Sequence, residues 1–164
     1  MVKIGLLSDT HGYWDDRYKE YFSSCDEIWH AGDIGSVEVA VRLSNVKPLR
    51  AVCGNIDGQP LRSQYPLVAH FSIEDVPVLM THIGGYPGRY EPAIRKDLYA
   101  MRPKLFIAGH SHILKVIFDQ HLNCLHMNPG AAGKSGFHQV RTLLRFSIEG
   151  AKIKDLEVIE LGLR

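Results

Sequence analysis

The 164-residue chain has only three cysteines, Cys25, Cys53 and Cys124. An odd number without Cys-x-x-Cys spacing excludes a disulfide framework and a zinc–thiolate site, and leaves the three as small buried hydrophobes. Long apolar runs are missing too. No stretch approaches the ~18 apolar residues of a membrane span, and Val2–Leu7 is too short for a secretory core. The chain also lacks a charge bias, with a formal net charge of +1 at pH 7. Neither phosphate backbones nor anionic lipids are attracted in general, so neither nucleic acid nor a membrane is expected as an obligate partner. There is no internal repeat or linker. The expectation is one cytoplasmic domain, residues 1–164, long enough to bury about two-thirds of its unfolded surface.

What is present is a repeated arrangement of apolar strands that end in polar chemistry. Val2–Leu7 runs into Ser8-Asp9-Thr10-His11-Gly12. Side chains two apart on an extended chain share a face, so Asp9 and His11 can converge on one ion. A helix is expected over Trp14–Ser24, with Tyr18, Tyr21 and Phe22 on one side, then a strand Glu27–His30 entering Gly32-Asp33. Ser36 caps a second helix to about Asn45, and a third strand, Leu49–Cys53, ends at Gly54-Asn55-Ile56-Asp57. Alternating strand and helix implies parallel pairing through right-handed crossovers, with ligands beyond the carboxyl ends of the strands. Asp9, Asp33 and Asn55 then share one edge.

A hairpin, Leu67–Ser72 and Val76–Thr81, delivers His82, and Leu105–Ala108 ends in Gly109-His110-Ser111-His112 after a helix over Glu91–Met101. The remainder, near Lys115–Asp119, Cys124–Met127, Thr142–Ile148 and Lys152–Glu160, is β-rich and forms part of a second sheet, with Gly130–Gly136 read as a mobile loop. Seven oxygen and imidazole donors emerge without thiolate: Asp9, His11, Asp33, Asn55, His82, His110 and His112. That set suits two borderline divalent ions better than one tetrahedral site. Two such ions, two carboxylates and one hydroxide leave about one positive charge to attract a phosphate.

In this order the motifs Asp9-Thr10-His11, Gly32-Asp33, Gly54-Asn55-Ile56-Asp57, His82 and Gly109-His110-Ser111-His112 resemble the calcineurin-like metallophosphoesterase superfamily. The short length and Asn128-Pro129-Gly130 are similar to its small bacterial and archaeal phosphodiesterase group. The resemblance implies an α/β fold of two packed mixed β-sheets flanked by helices. It also implies two divalent cofactors, manganese ahead of nickel, iron and zinc. Asp9, His11, Asp33 and His112 would hold one, and Asp33, Asn55, His82 and His110 the other. The implied activity is hydrolysis of a small phosphate ester, a diester before a monoester, by in-line attack of a metal-bridging hydroxide, with Asp33, Asn55 and His82 closest to the chemistry. The family also suggests dimers or higher oligomers. The alternative is a protein-binding scaffold, because a retromer subunit of this superfamily uses the fold to hold partners and has a degraded metal site.

Many family members carry histidine where this chain has Ile56, which cannot protonate a leaving group. His138 is the candidate substitute donor, and Arg89, between Tyr86 and Tyr90, the candidate specificity residue. His30 reads as a packing or supporting residue, Asp57 as a local turn former, and His70, His121 and His126 as strand residues satisfied by neighbours or solvent.

Overall fold

The computed structural model describes residues 1–164, in which β1 (Val2–Leu7), α1 (Asp16–Phe22), β2 (Glu27–His30), α2 (Val37–Val46) and β3 (Leu49–Ala51) form the first half. A short α3 (Leu61–Gln64) leads to β4 (Val68–Ile73), β5 (Val76–Thr81) and a ribbon of β6 (Gly85–Tyr86) and β7 (Arg89–Tyr90). Then come α4 (Pro92–Met101), β8 (Leu105–Ile107), β9 (Leu114–Asp119), β10 (Cys124–Pro129), β11 (Val140–Glu149) and β12 (Lys152–Leu163). The first helix is shorter than its pattern suggested because Asp15 caps it, its carboxylate accepting from the Arg17 N–H. Ser36 caps α2 as anticipated, accepting from Val39 N–H. β3 stops at Ala51 because the Cys53 N–H turns to the Pro66 carbonyl and leaves the ladder.

One sheet has the order β12-β11-β1-β2-β3 and the other β4-β5-β8-β10-β9. Three neighbouring strands run parallel in each, β1–β2–β3 at one side of the first sheet with antiparallel β11 and β12 beyond β1, and β5–β8–β10 at the centre of the second between antiparallel β4 and β9. Parallel pairing aligns the carboxyl ends of β1, β2 and β3 in one sheet and of β5 and β8 in the other. Between the sheets lies an apolar layer that includes Leu6, Trp29, Val78, Met80, Ile107 and Phe146. On the outer face of the first sheet, α1 and α2 bury Tyr18, Phe22 and Leu43, and on that of the second, α4 buries Ile94 and Leu98 against Phe106. No helix is long and apolar enough to cross a membrane.

Gly130–Gly136 is not the loose loop expected. Ala131 and Ala132 are fully buried. Ala132 N–H donates to the Ser8 carbonyl and Gly133 N–H to that of Asp9, while the buried Arg141 guanidinium donates to the Ala132 carbonyl at 2.7 Å. Backbone pairing to the Asp9 turn, together with a buried cation, pins the segment to the rim.

Candidate metal centre

Each strand end turns sharply, and the backbone carries the cost. Nine non-glycine residues have positive φ, and five of them are Asp9 (55°), His11 (46°), Asp33 (55°), His110 (71°) and His112 (62°). Asp and His tolerate the left-handed region better than most residues, and concentrated strain of this kind collects at functional sites. Close approach matters as much. A Cβ on Gly54 would sit 2.0 Å from Asp33 Oδ1, and one on Gly109 2.2 Å from Ser8 Oγ. Only glycine lets those loops close on the carboxylates.

The result is two facing triads, Asp9 with His11 and His112, and Asp33 with His82 and His110, each with donor atoms within 4.8 Å of one another. Asp9 Oδ1 lies 3.1 Å from His112 Nε2 and 3.7 Å from both His11 Nε2 and His82 Nε2. Asp33 Oδ2 lies 3.1 Å from His82 Nε2 and 3.4 Å from His11 Nε2, so this carboxylate stands between the triads. Asn55, exposed, borders a cleft with His82, and the neighbouring Ile56 N–H fixes Asp33 Oδ1 at 3.1 Å. Six of the seven predicted donors therefore converge as pairs and triads, and the seventh lies beside them.

The atoms pointing inward are conspicuously unsatisfied. Asp9 Oδ1, His11 Nε2 and His82 Nε2 are buried and have no hydrogen-bond partner. The outward atoms of Asp9 and His82, by contrast, are held. Asp9 Oδ2 accepts from Ser8 Oγ at 2.6 Å and from His110 N–H at 3.1 Å. His82 Nδ1 donates to the Ala31 carbonyl at 2.8 Å, which leaves its Nε2 as a lone pair aimed at Asp33. Burial opposes ionisation of Asp9, yet the facing His11 and His112 imidazoles hold its carboxyl well below the usual range. Asp33 is lowered by His82 against its own burial, and His11 is raised by Asp9. All of these shifts express a demand for positive charge at the centre. Orphaned inward atoms and a thiolate-free donor set fit divalent cations of the borderline class.

Four residues escaped the sequence pattern or differ from what it suggested. Asp57 is not a local turn former alone: buried, it accepts from Ile34 N–H (3.1 Å), Gly35 N–H (2.8 Å) and Gly54 N–H (2.8 Å), tying the Asp33 turn to the Asn55 turn. His138 is no free proton donor. Its Nε2 donates to the Gly133 carbonyl at 2.8 Å, so its Nδ1 accepts from His112 Nδ1 at 3.2 Å. Asn128 donates to Gly109 O (3.0 Å) and Ser111 Oγ (3.1 Å), bracing the late histidine turn. His126, expected to be satisfied, is buried with its Nε2 unpartnered. His30 has the supporting role foreseen, contacting Thr10 Oγ1 at 3.0 Å and accepting from Gly32 N–H. His70 and His121 are exposed, and the three cysteines are buried and free. Arg89 is exposed and lines none of the clefts beside the triads, whereas Tyr86 does.

Fold and rim together define a metallophosphoesterase domain. The chain belongs to the calcineurin-like phosphoesterase superfamily, whose domain model matches residues 2–151. A probable metallophosphoesterase of Methanothermobacter thermautotrophicus is 28% identical over 168 residues, covering 97% of this chain and 92% of that protein. Among solved structures, Vps29 of Chaetomium thermophilum has a TM-score of 0.78 at 14% identity, covering 98% of this chain and 97% of that one. Vps29 of Entamoeba histolytica, crystallised with zinc, has a TM-score of 0.74 at 14% identity, with 96% and 98% covered. At such identities these structures speak for the fold alone.

Proposed function

We propose that the protein is a dinuclear metal-dependent phosphodiesterase. The observation that supports this most is the pair of facing triads whose inward atoms are buried and unpartnered, with Asp33 Oδ2 placed between them. Asp9, His11 and His112 would hold one cation, His82, His110 and Asn55 the other, and Asp33 would be shared. Bound there, two divalent ions would supply Lewis acidity and lower the pKa of water from about 15.7 toward 7. The chain's own contribution is position. Ser8 and the His110 N–H aim Asp9, the Ala31 carbonyl aims His82, and His138 aims His112, so the donors are fixed before substrate arrives.

Neither Ile56 nor His138 is placed to protonate the leaving oxygen. The Ile56 side chain is apolar, and both nitrogens of His138 are engaged. Without general acid help, typically worth ~10²–10⁴ in rate, activated leaving groups are favoured over simple alkoxides. Release of nitrophenol from bis- and mono-nitrophenyl phosphate, with manganese, nickel, iron or zinc, tests this. The expected result is metal-dependent turnover, faster on the diester. Absence of hydrolysis of either ester with all four metals would overturn it.

The rival is a scaffold that binds other proteins, and the likeness of the fold to Vps29 structures supports it. Against it stands the set of six convergent donors, since buried carboxylates and imidazoles without partners cost stability unless a ligand compensates.

A further inference from the structure

Two clefts adjoin the late histidine turn. In one, a cavity floored by the second sheet, Glu91 and Lys115 bring both signs of charge. The other, of about 440 Å³, has His110, Ser111 and His112 along one wall, with Ile113, Phe137 and His138 completing it. No carboxylate, ammonium or guanidinium lines this second cleft. Ser111 Oγ accepts from Asn128 Nδ2 at 3.1 Å and from Ile113 N–H at 3.2 Å, and both nitrogens of His138 are engaged. What the cleft presents to a ligand, apart from the two triad histidines, is mainly the apolar surface of Ile113 and Phe137.

Phe137 is the residue that packing does not explain. It is 102% exposed, and Ile113 is 60% exposed. Single apolar residues on a surface are ordinary, but this one stands on a fixed support next to the metal centre. Gly136 has a φ of 128°, and a Cβ there would be 2.2 Å from His112 Nδ1, so the chain runs against the imidazole one residue before Phe137. On the near side the Gly136 carbonyl accepts from the Arg164 guanidinium. On the far side His138 Nε2 donates to the Gly133 carbonyl at 2.8 Å, and the Gln139 carbonyl accepts from Arg164 N–H at 2.9 Å. The backbone around Phe137 is tied down while its ring stands in solvent. A buried phenylalanine removes about 150–250 Å² from water, and here that gain is left for a ligand to realise.

We propose that Phe137 determines specificity by stacking on an aromatic arm of the substrate, with Ile113 as the second apolar contact. The occupant follows from continuity: one wall is made by His112 of the first triad and His110 of the second, so a group carried on a phosphate at the triads is within reach of the cleft. An apolar cleft without fixed charge suits a flat uncharged ring. An aryl group and a nucleobase share that chemistry. The inference deepens the phosphodiesterase reading and rests on it for the phosphate.

Zinc-loaded protein is titrated calorimetrically with phenylphosphonate and with methylphosphonate, whose P–C bonds resist hydrolysis, and likewise with uridine 5′-phosphate and ribose 5-phosphate. Phe137→Ala is expected to reduce the preference for the ring-bearing member of a pair by about 10-fold, the scale of one aromatic stack. Comparing preferences between proteins removes the intrinsic difference in basicity within each pair, and a side chain wholly in solvent can be truncated without loss of packing. A loss confined to the phosphonates assigns the arm to an aryl group next to phosphorus, and a loss with the nucleotide assigns it to a base. No preference in wild type, or one that Phe137→Ala leaves unchanged in both pairs, overturns the stacking while the phosphate site stands. If none of the four compounds binds, the phosphate reading and the stacking fall together. If the preference depends on Phe137 but no ester is hydrolysed with any metal, the stacking stands and the phosphodiesterase reading falls.

Discussion

The two triads are each made of one aspartate and two histidines and are supported differently. Around Asp9, His11 and His112 the supports are mostly side chains, Ser8 on Asp9, His138 on His112, and Thr10 with His30 beneath the turn, with the His110 N–H on Asp9 as the backbone exception. Around Asp33, His82 and His110 the direct supports are backbone groups, the Ile56 N–H on Asp33 and the Ala31 carbonyl on His82, with Asp57 stitching the loops together. The second triad also contains the exposed member, His110, and opens onto the cavity floored by the second sheet. A triad braced by side chains can be loosened by single substitutions at a distance. One braced by backbone changes only when its loop does.

The sharpest break comes at the shared carboxylate. Asp33→Asn is expected to lower turnover of bis(4-nitrophenyl) phosphate by roughly 10³-fold, because one charge serving both triads is lost. Asp9→Asn should cost less, since Asp9 Oδ1 stands 3.1 Å from His112 but 3.7 Å from His82. The reverse ranking in steady-state assays would move the shared role to Asp9.

Removing the stitch tests the second triad through stability. Asp57→Ala leaves the Ile34, Gly35 and Gly54 N–H groups without their acceptor. Unsatisfied buried donors cost about 1–3 kcal/mol each, and partial access to water for the Gly35 group reduces the sum to about 3 kcal/mol. Chemical denaturation reads this directly, and a loss below about 1 kcal/mol would show that the loops hold without Asp57.

A smaller effect separates the regions by pH. Burial pushes His30, under the first triad, and His126, beside the second, down to about 4. Unfolded, each takes up a proton near 6.5, whereas the folded protein keeps each neutral until about pH 4. The unfolded state therefore binds more protons in that window, so stability is full above pH 6.5 and falls as pH drops toward 4. Between pH 7 and pH 4.5 wild type should lose roughly 2 kcal/mol more unfolding free energy than His126→Phe. Parallel curves would mean that His126 is protonated in the folded state.

This contrast also explains what could be read from the chain and what could not. Asp9 and Asp33 follow parallel strands of one sheet and His82 and His110 parallel strands of the other, so strand pattern aligns each pair, while the packing of the two sheets brings the pairs together. The supports carry no periodicity. Asp57 reaches back 23 residues to Ile34, and His138 reaches 26 to His112, contacts set by how loops fold over one another. The ribbon β6–β7 and the short α3 were equally silent, each being too brief to generate a pattern. Gly130–Gly136 misled because glycine signals mobility and close packing alike, and here Gly133 sits against the Asp9 and Thr10 carbonyls.

The finest distinction concerns His138, which touches neither carboxylate. Its Nε2–H is committed to Gly133 O, which makes its Nδ1 an acceptor and puts the His112 proton on Nδ1. The His112 Nε2 lone pair is thereby turned toward Asp9, 3.1 Å away. His138→Ala frees His112 to flip or to change tautomer, and a support of this kind is worth about tenfold in metal affinity or activity at the low end. The loss should appear in cation affinity by titration calorimetry, with one of two binding steps weakened and the other kept. It should leave the preference among leaving groups unchanged, because His138 moves no proton in turnover. A selective loss on poor leaving groups, with affinity intact, would instead make His138 the missing acid and reverse the assignment of its two nitrogens.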